Sequence, residues 1–236
     1  MAIGNVTPDS FYAASRLGNE GAVLEWAEQS LSKGADILDI GACSTRPNST
    51  PVDEEEEWSR LVPALGALRK TFPQVSLSLD TFRPEIARRA LEHFGPMIIN
   101  DISGGNKTMY ELVQRYKVPY IFTFRGDYTK LRVLNEVESS RWILDPGFGF
   151  CGGVEQDYTC LRRLDELQQY NRPVLVGVSR KSMVYKPLGL TSETCLSATQ
   201  ALQLYALEHG ATILRTHDVK ETRQIVKLFE LVNGKW

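Results

Sequence analysis

Eight apolar runs alternate with eight helix-like segments along this chain, and nearly every run ends in a residue that can ionise or bind. MAIGN stops at Asn5, ADILDIG carries Asp39, and VSLSLD stops at Asp80. MIIND ends in Asn100 and Asp101, and WILD ends in Asp145. VLVGVSRK reaches Lys181, and ATILRTH reaches Arg215 and His217. Several runs are continuously apolar, the pattern of parallel strands covered by helices. Right-handed crossovers in such a repeat would bring all the strand ends to one rim. The expectation is an α/β fold: one TIM (β/α)8 barrel domain over residues 1–236, its polar strand ends set around a common mouth.

The strand candidates are 2–5, 36–40, 75–80, 97–100, 119–124, 141–145, 173–178 and 211–215. Helix candidates lie near 22–33, 55–70, 84–94, 108–116, 129–139, 157–170, 192–209 and 219–232. Asp53 precedes Glu54–Glu57 as a helix start, and Asp218 has Glu221 three residues later, a capping-box spacing. The Glu54–Glu57 run reads either as a cation site or as a solvated first turn complementing the helix dipole, and the second reading is preferred. A barrel of this type takes about 250 residues, so 236 is slightly tight. The tightness is local: between Gly126 and Asp145 there is room only for a short helix before the sixth strand. The first strand also begins abruptly at Met1.

A net charge of −2 gives no general attraction for nucleic acid or an anionic membrane surface. No apolar stretch approaches the ~20 residues needed to span a bilayer, and no secretion signal is expected at the start. Cys43, Cys151, Cys160 and Cys195 show neither C-x-x-C pairing nor zinc-like histidine spacing. Reduced thiols in a cytoplasmic protein are therefore expected.

Thr7-Pro8-Asp9-Ser10, after the first strand, is by itself only good turn chemistry. Its meaning changes beside the other strand ends: NVTPDSF (5–11), GADILDIGACSTRP (34–47), LSLDT (77–81), IINDISGG (98–105), LDPGFGF (144–150), VLVGVSRKS (174–182) and ILRTHDVKET (213–222). In that order the series closely resembles the dihydropteroate synthase family, pterin-binding barrel enzymes of folate biosynthesis, and the likeness covers essentially the whole chain. It implies a transferase acting on 6-hydroxymethyl-7,8-dihydropterin diphosphate and 4-aminobenzoate, with Mg²⁺. The implied products are 7,8-dihydropteroate and pyrophosphate, and the implied assembly is a homodimer with late helices at the contact.

Residue chemistry agrees with those substrates. A pterin edge carries N–H donors beside one carbonyl, which carboxylates, an amide and an ammonium can satisfy. Asp80, Asn100, Asp145 and Lys181 supply that set, and the resemblance gives them the pterin. Taken singly, Asp80 and Asn100 could be strand-end caps and Asp145 a turn residue. For the diphosphate, Arg215 and His217 stand two apart on one strand end and can face the same way. Arg215 offers a bidentate fork, and Thr45 and Arg46 are expected to assist. Asn5 offers a neutral oxygen suited to Mg²⁺, the ligand role its counterpart has in the family. An isolated His217 would more often be a structural histidine. For 4-aminobenzoate the expected slot is Pro47, Phe150 and the Lys181 stem, with Phe11, Thr45, Gly149 and Ser182 alongside. Without the motif, Phe150 would read as core packing. Asp80, Asp145, Lys181, Arg215 and His217 are the catalytic candidates.

Three segments depart from the family pattern. Cys43 stands where glutamate is frequent, Cys151-Gly152-Gly153 replaces a small-Lys-Thr or Asn run, and Thr123-Phe124-Arg125 replaces His-Met-Gln. The last change keeps open a non-catalytic pterin-binding relative. A folate/corrinoid methyltransferase of the same superfamily explains the acids but leaves NVTPDSF, STRP and SRKS without a role.

Overall fold

The computed structural model describes residues 1–6, 19–43 and 52–235. Phe11, Thr45, Arg46 and Pro47 lie outside the described residues. The chain divides into two compact units, Met1–Tyr120 and Ile121–Trp236.

In the first unit, β1 (Ala2–Asn5), β2 (Ile37–Gly41), β3 (Ser76–Asp80) and β4 (Ile98–Asp101) alternate with α1 (Glu20–Ser32), α2 (Glu54–Thr71), α3 (Pro84–Phe94) and α4 (Lys107–Tyr116). The strands pair in parallel in chain order. Leu38, Ile40, Leu77, Leu79 and Ile99 alternate with polar residues and are fully or almost fully buried. Side chains two apart share a sheet face, so the register fixes which polar groups sit together. Helix starts are capped by short side chains: Asn19 accepts from Ala22 N at 2.9 Å, Asp53 from Glu56 N at 2.8 Å and Asn106 from Met109 N at 3.1 Å. Gly4 is dictated by packing, because a Cβ there would lie 2.7 Å from the Trp26 ring of α1.

In the second unit, β5 (Tyr120–Thr123), whose first residue belongs to the first unit, leads to a 3-10 helix (Tyr128–Asn135) and β6 (Trp142–Asp145). Then follow α5 (Val154–Arg162), a 3-10 helix (Leu164–Tyr170), β7 (Leu175–Val176), α6 (Ser182–Tyr185), α7 (Leu196–Glu208), β8 (Ile213–Leu214) and α8 (Val219–Val232). Phe124 N–H donates to Asp145 O at 3.1 Å, Leu144 bridges Val174, and β7 pairs with β8 in parallel. Its core holds Phe122, Phe124, Trp142 and Phe148, each at most 1% exposed.

The expected strands all form, with β7 and β8 trimmed to two residues each. Several helical expectations need correction. The 129–139 segment forms only a 3-10 turn over Tyr128–Asn135, consistent with the short connection. The 157–170 segment breaks after Arg162 into a second 3-10 piece, and the 192–209 helix starts at Leu196. The four-residue α6 was not anticipated. Asp218 does not cap α8 with its side chain, because both its oxygens accept from Arg180, at 2.7 and 2.9 Å. Glu57 is not part of a solvated turn. It is fully buried, accepts from Thr81 Oγ1 at 2.7 Å and is paired with Arg83.

Candidate active site

In the first unit the polar strand ends fall in register. Asn5 pairs with Gly41, Gly41 with Asp80, and Asp80 with Asn100. Two residues back along their strands, Asp39 and Ser78 pair on the same face. A Cβ on Gly41 would lie 3.2 Å from Asp80 Cβ, so the glycine leaves room for that acid. Asn100 is 6% exposed and its amide nitrogen donates to Asp39 Oδ2 at 3.1 Å. That contact orients Asn100 as more than a cap. Asp39 is fully buried, and the sequence marks it only as a lone acid inside an otherwise apolar strand. Asp101 is structural. Its Oδ1 accepts from Ser103 N and Oγ at 2.8 and 2.6 Å, and Oδ2 accepts from Tyr120 Oη at 3.0 Å.

In the second unit Asp145, Lys181 and Arg215 share one electrostatic environment. Asp145 is 9% exposed; its Oδ1 accepts from Gly147 N at 2.8 Å and its Oδ2 from Thr123 Oγ1 at 3.3 Å. It therefore stabilises the turn with one oxygen while the other faces β5. Burial raises its carboxyl above the ordinary range, and Lys181, the Gly147 N–H, Arg215 and Thr123 oppose the shift. Lys181 Nζ donates to Phe148 O and stands 5.3 Å from the Phe150 ring centroid. Burial pushes its ammonium down to about 8, Arg215 adds to the drop, and Asp145 resists it. Gly177 admits this cluster: a Cβ there would lie 3.7 Å from both Lys181 Nζ and Arg215 Cβ.

The GFGF turn divides its aromatics. Phe148 is fully buried, whereas Phe150 is only part-buried and lies against Lys181, so Phe150 is not core packing. Gly149, at φ +84, is exposed with Lys181 Cδ 3.1 Å from its would-be Cβ. Its N–H donates to Asp157 Oδ1 at 2.8 Å. Ser182 opens α6, but four residues are too few for a substantial helix-dipole anion site.

Beyond β8 the chain alternates, with Leu214 and Thr216 buried and Arg215 and His217 part-exposed. Arg215 and His217 thus stand two apart with similar part-exposure just past the strand. His217 Nδ1 lies 3.3 Å from Ser179 Oγ, which also accepts from His217 N at 3.2 Å. Arg180, at φ +55, is clamped in this unusual backbone geometry by Asp218 and the Ser192 carbonyl. The neighbouring SRK and RTHD segments are thereby tied together.

Among the described residues no group of three or more His, Cys, Asp or Glu side chains could hold an ion. Asn5 ends β1 with a hard neutral oxygen, a donor that fits Mg²⁺ carried mainly by phosphate and water rather than caged by protein.

Residues 1–136 and 124–217 match the family described as pterin binding enzyme, the two pieces overlapping at the short connection after β5. The chain is 36% identical over 247 residues to dihydropteroate synthase of Streptococcus pyogenes serotype M3, covering 96% of this chain and 92% of that one. It is also 36% identical over 264 residues to folic acid synthesis protein fol1 of Pneumocystis carinii, covering 98% of this chain but 35% of that longer protein. Dihydropteroate synthase from Clostridium difficile, solved in the presence of pteroic acid, matches with a TM-score of 0.89 at 30% identity, over 98% of this chain and 95% of that one. That likeness assigns the expected fold class, α/β of the TIM-barrel type. The chain belongs to the dihydropteroate synthase family of pterin-binding enzymes.

Proposed function

We propose that the protein joins 6-hydroxymethyl-7,8-dihydropterin diphosphate to 4-aminobenzoate, giving 7,8-dihydropteroate and pyrophosphate. The observation that carries this reading is the Asp145–Lys181–Arg215 group, two cations around one buried acid beside a turn that exposes Gly149 and presents Phe150. Asp80, Asn100 and Asp145 accept or exchange hydrogen bonds with the amino-pyrimidinone edge, and Lys181 donates to its carbonyl.

The bond from the pterin methylene to the diphosphate oxygen breaks, and the arylamine nitrogen attacks the methylene carbon and then loses a proton. Arg215 and His217, with Thr45 and Arg46, hold the diphosphate oxygens and stabilise charge growing on them. Asp80 and Asp145 favour positive charge on the pterin methylene. Phe150, the Lys181 stem and Pro47 line the amine's slot, with Phe11, Gly149 and Ser182 beside it. Mg²⁺, when bound, neutralises part of the leaving-group charge, and Asn5 would contribute one oxygen to it.

The altered fifth-strand segment does not weaken this reading, because Thr123 donates its hydroxyl to Asp145. No helix among the described residues is long and apolar enough to cross a membrane. A cytoplasmic setting suits the four free cysteines. A homodimer through α7 and α8 suits the exposure of Leu228 and Val232, at 50% and 78%.

Incubation with both substrates and Mg²⁺ should release pyrophosphate and form dihydropteroate, and Arg215→Ala should remove most of that activity. Binding of the pterin diphosphate with no coupling to the amine would defeat the reading.

A further inference from the structure

Two of the four cysteines meet behind the turn that holds Lys181. Cys151 follows Phe150 and is part-exposed; Cys160 lies on α5 and is 4% exposed. A Cβ on Gly126 would lie 2.7 Å from Cys160 Sγ and 3.3 Å from Cys151 Sγ, so both sulfurs border one small space. Gly126 has φ +71, and only a residue without a side chain leaves that space to the thiols. The Cys151 thiol donates to Gly147 O at 3.3 Å and Pro146 O at 3.4 Å. The thiols also interact with each other: hydrogen bonding with Cys160 drives the Cys151 thiol upward, and the same contact lowers Cys160. The proposed mechanism uses neither thiol.

Glycines flank Cys151 closely. Gly147, Gly149, Gly152 and Gly153 all have positive φ and surround it on both sides. The same turn carries Phe148 O, which accepts from Lys181 Nζ, and Phe150, whose ring lies against it. Asp157, between the cysteines in sequence, accepts from Gly149 N and also faces Cys151. A change in the Cys151–Cys160 distance therefore reaches Lys181 through the backbone of one short turn.

We propose that Cys151 and Cys160 form a dithiol modification site, oxidised to an intramolecular disulfide by low-molecular-weight disulfides such as oxidised glutathione. Cys151, the more accessible thiol, must first release its proton, which its contact with Cys160 opposes, so this step quickens as pH rises. Its thiolate then attacks one glutathione sulfur, the glutathione S–S bond breaks and the first glutathione leaves, taking up a proton. Cys160 thiolate then attacks the Cys151 sulfur of the mixed disulfide and displaces the second glutathione. Two cysteine thiols lose two electrons and two protons, and one glutathione disulfide becomes two thiols. Bond formation draws Cys151 off the Pro146 and Gly147 carbonyls and shifts the Phe148–Phe150 turn, which lowers activity. That last consequence rests on the proposed role of Lys181, whereas formation of the bond does not.

The test equilibrates the full-length protein in graded reduced-to-oxidised glutathione buffers, quenches in acid, alkylates and maps peptides by mass spectrometry. The wild type should yield a Cys151–Cys160 cross-linked peptide lighter by two hydrogens, with Cys43 and Cys195 still alkylated as thiols. Cys160→Ser should trap a glutathione adduct on Cys151, and Cys151→Ser should give no cross-link. Cys160→Ala replaces Cys160→Ser if the latter fails to fold. Activity in the same buffers should fall with the cross-link and return on reduction, while Cys151→Ser stays insensitive. Glutathione adducts on Cys43 or Cys195 without the 151–160 link overturn the site. A link that forms with activity unchanged overturns its coupling to the turn. If the reduced wild type has no synthase activity, the peptide map still decides whether the dithiol forms, and the failure belongs to the functional reading.

Discussion

Raising the pH should switch off Lys181 well below the range where a lysine normally loses its proton. Its ammonium is lowered from 10.5 to about 8, chiefly by burial, so the charged fraction falls from roughly 90% at pH 7 to roughly 10% at pH 9. If the ammonium must donate to the pterin carbonyl, kcat/KM for the pterin diphosphate should drop about tenfold between those pH values. An ordinary lysine would remain more than about 95% charged throughout. Initial rates of pyrophosphate release at low pterin diphosphate, from pH 6 to 9.5, measure this limb. Lys181→Arg cannot lose its charge in that range, so its residual activity should lack the limb. A stability readout carries the same sign. The folded value lies below the unfolded one, so the unfolded chain holds the extra proton between about 8 and 10.5. Across that window the melting temperature of the wild type should gain on that of Lys181→Met. A flat profile to pH 9.5, or the same limb in Lys181→Arg, would refute the reasoning.

Other perturbations have equally definite signs. Asp218→Asn leaves the Arg180 guanidinium in place after removing its charged partner; with side chains only 8% and 11% exposed, the loss should be about 3 kcal/mol in urea unfolding. A change under about 0.5 kcal/mol would show that the pair contributes little. Thr123→Val removes a hydrogen bond that holds the Asp145 carboxyl down, so the acid limb of the rate profile should move to higher pH. An unmoved or lowered acid limb would mean that Thr123 does not support the acid.

Much of the architecture was visible in the chain because parallel, doubly covered strands leave long apolar runs. Their polar ends stood out for the same reason: Asp80, Asn100 and Asp145 each terminate a hydrophobic stretch. What escaped was tertiary. Glu57 looks like one of four acids in a helix's first turn, yet the turn aims it inward at Arg83 and Thr81. Asp218 and Glu221 have capping-box spacing, but Arg180, 38 residues away in sequence, takes both carboxylate oxygens. Between Gly126 and Asp145 only a short helix had room, and the segment forms a tighter 3-10 turn over Tyr128–Asn135. Asp39 and Thr123 do their work through Asn100 and Asp145, and no spacing rule reveals a side chain whose role is to orient another. The pairing of Cys151 with Cys160 was equally hidden, since Gly126 helps define the space they share.

Calorimetric titration of 6-hydroxymethylpterin into wild type and Asp145→Asn tests most directly whether this buried acid grips the pterin edge. Losing charge-assisted hydrogen bonds worth about 1.5–3 kcal/mol should weaken binding roughly 10- to 150-fold while the variant still melts as a folded protein. Equal affinity in a folded variant would contradict the assignment of Asp145, and with it the placement of Lys181 and Arg215 around the substrate.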